Sequence, residues 1–299
     1  MTKYRNQKKN QKKIRKILVT GAASPLGVCV CKEAKEKGFY VLGGVTKKHE
    51  KSFLKNVDKK IFFDLKNLEK FTLGKQHFFS VIHIAGISEG DLAELMQVNT
   101  TGTLKLLEKC RKKSISSFVH VSSMSVYGNV SKPTVNSKNE INSPCAYGLS
   151  KYIAERYCAA YFKFYKTVSV RVPAIVGPTA HRHFLARTLK CMQENHASVK
   201  VANPNFNFNN VVSYKGLGKF LVKLSMKPPK KYLALPVSSS CEIRIRSIIK
   251  LMIEKTKYRG RVQWIKMKGA FNINCNEAKK YGFRTESTKS IIKSWLSHI

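Results

Sequence analysis

Acidic side chains are scarce in this chain. Seventeen Asp and Glu stand against 56 Lys and Arg, a formal net charge of +39 over 299 residues. No acid precedes Glu33, and Glu194 is the only one between Arg156 and Cys241. Such a surplus disfavours cationic partners. It suits a diphosphate group, a nucleic acid or an anionic lipid, and it equally suits a lysine-rich composition spread over a solvated surface. Metal-binding spacing is absent: the eight cysteines (29, 31, 110, 145, 158, 191, 241, 275) include no Cys-x-x-Cys pair. They read as reduced thiols, and no metal site is expected. Long apolar runs are missing as well. Nothing approaches the ~20 residues of a membrane span, and Ile17-Leu18-Val19 is too short for a secretion leader. Zinc-finger spacing, an aromatic RNA-binding signature and a Gly/Arg-rich segment are all lacking, so no specific nucleic-acid partner is expected. These absences predict a cytoplasmic protein.

What is present is globular: 43% apolar and 10% aromatic residues. The length allows one large α/β domain with a smaller lobe. Residues 1–13 are polar and lysine-rich and predict a disordered basic tail. A βα alternation follows, with strands expected near 15–20, 39–46, 60–63, 79–84, 116–122 and 167–172. Helices are expected near 25–37, 91–112 and 145–164. The strands are apolar without strict alternation, as buried parallel strands are. The pattern predicts a Rossmann-type α/β fold, a doubly wound parallel sheet over 14–172 with its ligand at the carboxyl ends of the strands. After Pro173 the regularity falls. Helices are expected at 181–194, 216–226, 242–256, 275–281 and 287–297, with short strands at 211–212 and 233–235. A small C-terminal substrate-binding lobe built from 173–210 and 241–299 is expected, with 211–240 returning to the first domain.

Thr20-Gly21-Ala22-Ala23-Ser24-Pro25-Leu26-Gly27 joins the first strand to the first helix. Gly21 permits a tight turn, Gly27 permits close packing, and the amides at the helix start can face a pyrophosphate. Ser24 occupies the middle position of the usual Gly-x-x-Gly-x-x-Gly form. It can cap the helix or bind phosphate through its hydroxyl. The second strand ends in Thr46-Lys47-Lys48, where an NAD site usually places an acid for the ribose hydroxyls. Those residues suit the 2′-phosphate of NADP, so NADP is slightly favoured over NAD. Asp64, with Leu65 beside it, follows the third strand and can approach adenine or simply form a turn.

Two later segments carry the chemistry. Val121-Ser122-Ser123-Met124-Ser125-Val126-Tyr127-Gly128 is followed by Ser143-Pro144-Cys145-Ala146-Tyr147-Gly148-Leu149-Ser150-Lys151. On a helix, Tyr147 and Lys151 share a face. An ammonium beside a phenol stabilises phenolate and draws a tyrosine down from ~10 toward the range of an acid/base catalyst. The spacing alone means little, since Tyr4 and Lys8 repeat it in the tail.

Taken together, these segments resemble an extended short-chain dehydrogenase/reductase of the NAD-dependent epimerase/dehydratase kind. The resemblance runs from Lys16 to about Leu296. It also rests on Val81-Ile82-His83-Ile84-Ala85-Gly86, on Val98-Asn99-Thr100-Thr101-Gly102-Thr103 and on Arg171-Val172-Pro173-Ala174-Ile175-Val176-Gly177-Pro178. It implies that Tyr147 is the acid/base on a sugar hydroxyl. Lys151 would bind the nicotinamide ribose, and Ser123 would hydrogen-bond the reacting oxygen. Cofactor contacts would come from Gly21, Ser24, Pro25, Leu26, Gly27, Thr46, Lys47, Asp64, Leu65, Ala85, Gly86, Asn99 and Pro173. Two helices, 91–112 and 145–164, would pair in a homodimer.

The resemblance also bears on the reaction. Dehydratases of this kind place an Asp-Glu pair after the serine, and nucleotide-sugar decarboxylases carry a Glu there. Met124 and Ser125 hold those places and cannot carry protons as carboxylates do. A 4-ketoreductase or a UDP-sugar 4-epimerase remains. Ala174 replaces an Asn common in the epimerases. With the missing ribose acid, it directs the expectation to a reductase acting on a nucleotide-linked or lipid-linked 4-keto sugar. Substrate contacts are expected at Ser123, Ser125, Arg182, His183, Asn209 and Asn210. A non-catalytic dinucleotide-binding sensor or assembly protein is the alternative from another class, although such a protein has no need of Ser123, Tyr147 and Lys151.

Overall fold

The computed structural model describes residues 15–69, 71, 78–180 and 183–299. The basic tail lies outside these residues. The first half begins with β1 (Lys16–Thr20), α1 (Pro25–Glu36), β2 (Tyr40–Val45), β3 (Lys59–Phe62) and β4 (Ser80–His83). Next come α2 (Leu92–Leu95), α3 (Gly102–Arg111), β5 (Ser117–Ser123), β6 (Thr134–Val135), α4 (Ala146–Tyr161) and β7 (Lys166–Val172). The second half adds β8 (Ala174–Val176), α5 (Phe184–Gln193), β9 (Ser198–Ala202), β10 (Asn207–Phe208), β11 (Val211–Ser213) and α6 (Tyr214–Met226). It ends with β12 (Ala234–Pro236), β13 (Ile243–Arg244), α7 (Ile245–Thr256), β14 (Arg261–Ile265), β15 (Asn272–Ile273), α8 (Asn276–Lys280) and α9 (Thr288–Leu296).

Seven strands form one parallel sheet in the order β3-β2-β1-β4-β5-β7-β12. This is the doubly wound order expected of a Rossmann-type domain, with its switch point between β1 and β4. Strand periodicity explains the two-sided core. Ile17 and Val19 of β1 join the cluster under α1 and α6, whereas Leu18 joins the cluster under α3 and α4. All three are fully buried. A third cluster holds the later elements together, with Leu185, Met192, Val201, Ile248, Ile249 and Trp295 at its centre. The segment 211–240 bridges the parts: β12 extends the main sheet beside β7, while β11 pairs with β8.

Two differences from the sequence expectation matter. The helix expected over 91–112 is a helical run with a π-helical turn at Met96–Thr101. The apolar spacing there does not register one extra residue in a turn. Segments 198–202 and 261–265, for which no strand was expected, pair in parallel as β9 and β14. Each is only five residues long, and Val199 and Val201 alternate with exposed positions. Among the described residues no helix is long and apolar enough to cross a membrane, and no cluster of potential metal ligands occurs.

Candidate active site

The carboxyl ends of the strands open into a cleft of about 1100 Å³. At the switch point, Gly21 has φ +71° and a Cβ there would lie 3.0 Å from the Ala85 nitrogen. A Cβ on Gly27 would meet the Gly21 oxygen at 2.1 Å. The turn therefore closes onto both the helix and the end of β4. Ser24 is the N-cap of α1: its hydroxyl accepts from the Gly27 N–H at 3.1 Å and donates to the Gly21 carbonyl at 2.7 Å. Pro25 follows at the first helical position, where its missing N–H costs no helical bond. Because the one proton of the Ser24 hydroxyl is committed to Gly21, the cap leaves none for a phosphate oxygen.

A buried chain of hydrogen bonds fixes the turn to β4. The Thr103 hydroxyl donates to the Asn99 carbonyl at 2.6 Å, so it accepts from His83 Nε2 at 3.0 Å. His83 Nδ1 then accepts from Thr20 Oγ1 at 2.7 Å, and Thr20 in turn accepts from the amides of Ile84 and Ala85. This order requires neutral His83. Burial pushes it down to about 3, with the Lys151 charge acting in the same direction. Asn99 sits in the π turn. Its amide accepts from the Ile87 N–H at 2.9 Å and donates to the Ile87 carbonyl at 2.8 Å and to the Ser150 hydroxyl at 3.0 Å. Asn99 thus holds the wall of the cleft from behind. Gly86 makes room for it, since a Cβ there would lie 2.7 Å from Asn99 Oδ1.

Ser123 ends β5, Tyr147 and Lys151 lie on the first turns of α4, and all three line the cleft. The Ser123 hydroxyl accepts from the Ser125 N–H at 3.1 Å. Lys151 is 5% exposed. Burial draws its ammonium down to about 8, opposed by Cys158 and Glu155. Burial also holds the Cys158 thiol up at about 12, which leaves Glu155 as the negative charge that matters at neutral pH.

The cleft is also lined by Gly21, Ser24, Pro25, Leu26, Thr46, Asp64, Leu65, Ala85, Gly86, Ser125, Pro173, His183 and Asn210. Gly27 and Asn99 support it without lining it. Lys47 and Lys48 lie on a helical turn after β2, and there the lining residues are Thr46 and His49. Asp64 lines the cleft, and its carboxylate also accepts from the Lys66 N–H in a turn. Asn209 does not line the cleft. Its amide is bound to both backbone groups of Ile273, at 3.0 and 2.9 Å. His183 caps α5 by accepting from the Ala186 N–H and packs against Trp295. Arg182 lies outside the described residues. His49, Phe184, Phe208 and Tyr214, which line the cleft, escaped the sequence reading because no short-range pattern marks them.

The model of the NAD dependent epimerase/dehydratase family matches residues 17–208. The chain belongs to this family. Among curated relatives it is similar to YtcB of Bacillus subtilis (strain 168), described as an uncharacterized UDP-glucose epimerase. The two are 33% identical over 194 residues, 54% of this chain and 57% of that protein. The chain thus spans little more than half the length of that relative. Among solved structures it is similar to the Thermotoga maritima UDP-glucose 4-epimerase with UDP-glucose. The TM-score is 0.78 at 21% identity, over 95% of this chain and 98% of that one. It is also similar to MoeE5 in complex with UDP-glucose and NAD, with TM-score 0.77 at 18% identity and the same coverage. At these identities the likeness is one of fold.

Proposed function

We propose that this chain is a UDP-sugar 4-epimerase that uses NAD. The observation that carries the reading is the reacting end of the cleft. It holds Ser123, Tyr147 and Lys151, and Asp64 is the only carboxylate among its described lining residues. Asp64 follows β3 at the edge of the sheet, and β2, β1 and β4 stand between β3 and β5, the strand that Ser123 ends. The elimination of water and the loss of carbon dioxide by such enzymes call for a further carboxylate near the sugar, and no carboxylate lines this end among the described residues. Epimerisation needs only the serine, the tyrosine and the lysine.

The cradle fits a dinucleotide. The Gly27 and Val28 N–H groups are bound to Ser24, and the turn brings Leu26, at the second position of α1, to the cleft, where its N–H would face a diphosphate. In this reading Asp64 and Leu65 would meet the adenosine half of the cofactor, and Ala85, Gly86, Lys151 and Pro173, which line the same cleft, would meet the nicotinamide half. A bound NAD would supply the acceptor, and then the donor, of a hydride at sugar C4. Tyr147 removes the proton from the C4 hydroxyl and gives it back, the Lys151 charge favours its phenolate, and Ser123 hydrogen-bonds the C4 oxygen. The similar UDP-glucose epimerases support this reading over the 4-ketoreductase that Ala174 and the missing ribose acid pointed to. NADP gains no support, because Lys47 and Lys48 do not line the cleft.

The test is incubation of the purified protein with UDP-glucose and UDP-galactose, with sugars followed by proton NMR and nucleotides by chromatography. Interconversion in both directions without net consumption of nucleotide is the expected result. Turnover of a 4-keto sugar with stoichiometric loss of NADPH, and no interconversion, would replace the proposal with the reductase.

A further inference from the structure

One buried ion pair sits behind the reacting residues. Glu155 lies one helical turn after Lys151 on α4, about 6 Å along the axis. It is 2% exposed, and its partner Arg171 on β7 is 5% exposed. Arg171 donates through Nε at 3.0 and 3.2 Å and through Nη2 at 2.7 Å. The Ser122 hydroxyl donates to the same carboxylate at 2.6 Å. The remaining face of the guanidinium stacks on Tyr127, 4.7 Å from the ring centroid. Ser122 immediately precedes Ser123, and Arg171 stands two residues before Pro173. Three cleft-lining segments from three elements therefore meet on one carboxylate.

We propose that Glu155 is a positioning residue: its carboxylate fixes Ser123, the Tyr147–Lys151 face of α4 and Pro173 in one frame and sets a negative charge beneath Lys151. Among the described residues, the charged and titratable groups that act directly on Lys151 are Glu155 and Cys158 of α4, His83 of β4 and His120 of β5; Tyr147 lines the same cleft one helical turn before it. Burial, with Lys151 itself next, keeps both histidines uncharged at neutral pH, and burial keeps Cys158 neutral too. Glu155 is thus the group that offsets the burial of the ammonium. Without it, Lys151 loses its proton at lower pH.

The inference rests on the nicotinamide-dependent reading of the site, so the experiment has two arms. The first measures kcat and KM against pH for wild type, Glu155→Asp, Glu155→Gln and Glu155→Gln/Arg171→Met. Two unit charges ~6–10 Å apart at an effective dielectric of ~20 shift a titration by about one to two pH units. The alkaline limb of kcat is therefore expected to move acidward by about one to two units in Glu155→Gln. At pH 7.5 kcat would fall about tenfold with KM changed less than twofold. Glu155→Asp is expected to restore most of the profile. The double variant removes both charges, so it keeps the fold if Glu155→Gln leaves Arg171 unpaired and unfolds. Its limb is expected to move in the same direction by less, because the Arg171 cation that also disfavours the Lys151 ammonium has gone with the carboxylate.

The second arm needs no substrate. It follows ionisation of Tyr147 by ultraviolet absorbance, as the difference between each protein and its Tyr147→Phe counterpart. The phenolate step is expected to move to higher pH when Glu155 is replaced. A folded Glu155→Gln or double variant with an unmoved pH profile and an unmoved phenolate step would overturn the proposal. Wild-type protein that turns over neither UDP-sugar would instead overturn the functional reading, and the absorbance arm would still decide the role of Glu155.

Discussion

Replacing Ser24 separates a structural from a chemical account of the nucleotide turn. In the structure its hydroxyl makes two bonds, accepting from Gly27 and donating to Gly21. Losing an N-cap side chain to alanine costs about 1 kcal/mol, and losing the second, part-buried hydrogen bond costs about 1 more. Ser24→Ala is therefore expected to lose about 2 kcal/mol, a fall of roughly 3 °C in Tm. Ser24→Gly caps almost as well as serine and forfeits mainly the bond to Gly21, so it is expected to lose about half as much. Nucleotide affinity is the discriminating quantity. A hydroxyl whose only proton is bound to Gly21 contributes no donor to a phosphate, so both variants should bind NAD within about threefold of wild type. A serine that donated to phosphate would be worth ~1.5–3 kcal/mol, or about ten- to a hundredfold in Kd. Calorimetry of unfolding and titration of NAD on the same samples give both numbers. A tenfold or greater loss of NAD affinity with an unchanged Tm would refute the capping argument.

Two further outcomes follow from the same geometry. His83 stays neutral when buried, at about 3, whereas an exposed histidine titrates near ~6.5. Below ~6.5 the unfolded chain takes up a proton that the native state refuses. The contribution of His83 is then full above ~6.5 and falls by ~1.4 kcal/mol per pH unit as pH drops toward about 3; buried His120 adds to the slope in the same direction. Urea unfolding at pH 7, 6 and 5 should show that slope flattened in His83→Gln, and an equal slope in both proteins would contradict the assignment. Lys47→Ala/Lys48→Ala should weaken NADPH by less than about threefold at low salt by nicotinamide fluorescence. A loss of tenfold or more, with NAD unaffected, would put a lysine on the 2′-phosphate.

Much of this architecture could be read from residue order. Gly21 and Gly27, the serines at the end of β5 and the Tyr147–Lys151 spacing are local patterns, and each records a backbone or helical requirement that acts within a few residues. The doubly wound sheet follows from strands apolar on both faces. What stayed hidden depends on distance. Asn209 lies near Asn210 in sequence, but its amide is spent on Ile273, 64 residues away. Glu155 and Arg171 read as ordinary charges until α4 and β7 pack together. Phe184, Phe208 and Tyr214 reach the cleft from three separate elements. The short strands β9 and β14 were also missed, because five residues hold too few alternations to distinguish a strand from a loop.

The π turn at Met96–Thr101 has a consequence for how this segment can change in length. A residue advances a regular helix by about 100°, and the wide turn absorbs one residue more than the regular path would. Deleting a single residue between 96 and 101 would mend the helix locally and cost little there. It would also swing Asn99 by about a quarter turn relative to α3, away from Ile87 and Ser150. A helix is usually the element most forgiving of such trimming when its ends are free. Here a deletion that makes the backbone more regular should leave the cleft wall without its brace, so length is fixed more tightly at this turn than residue type is at its outer face.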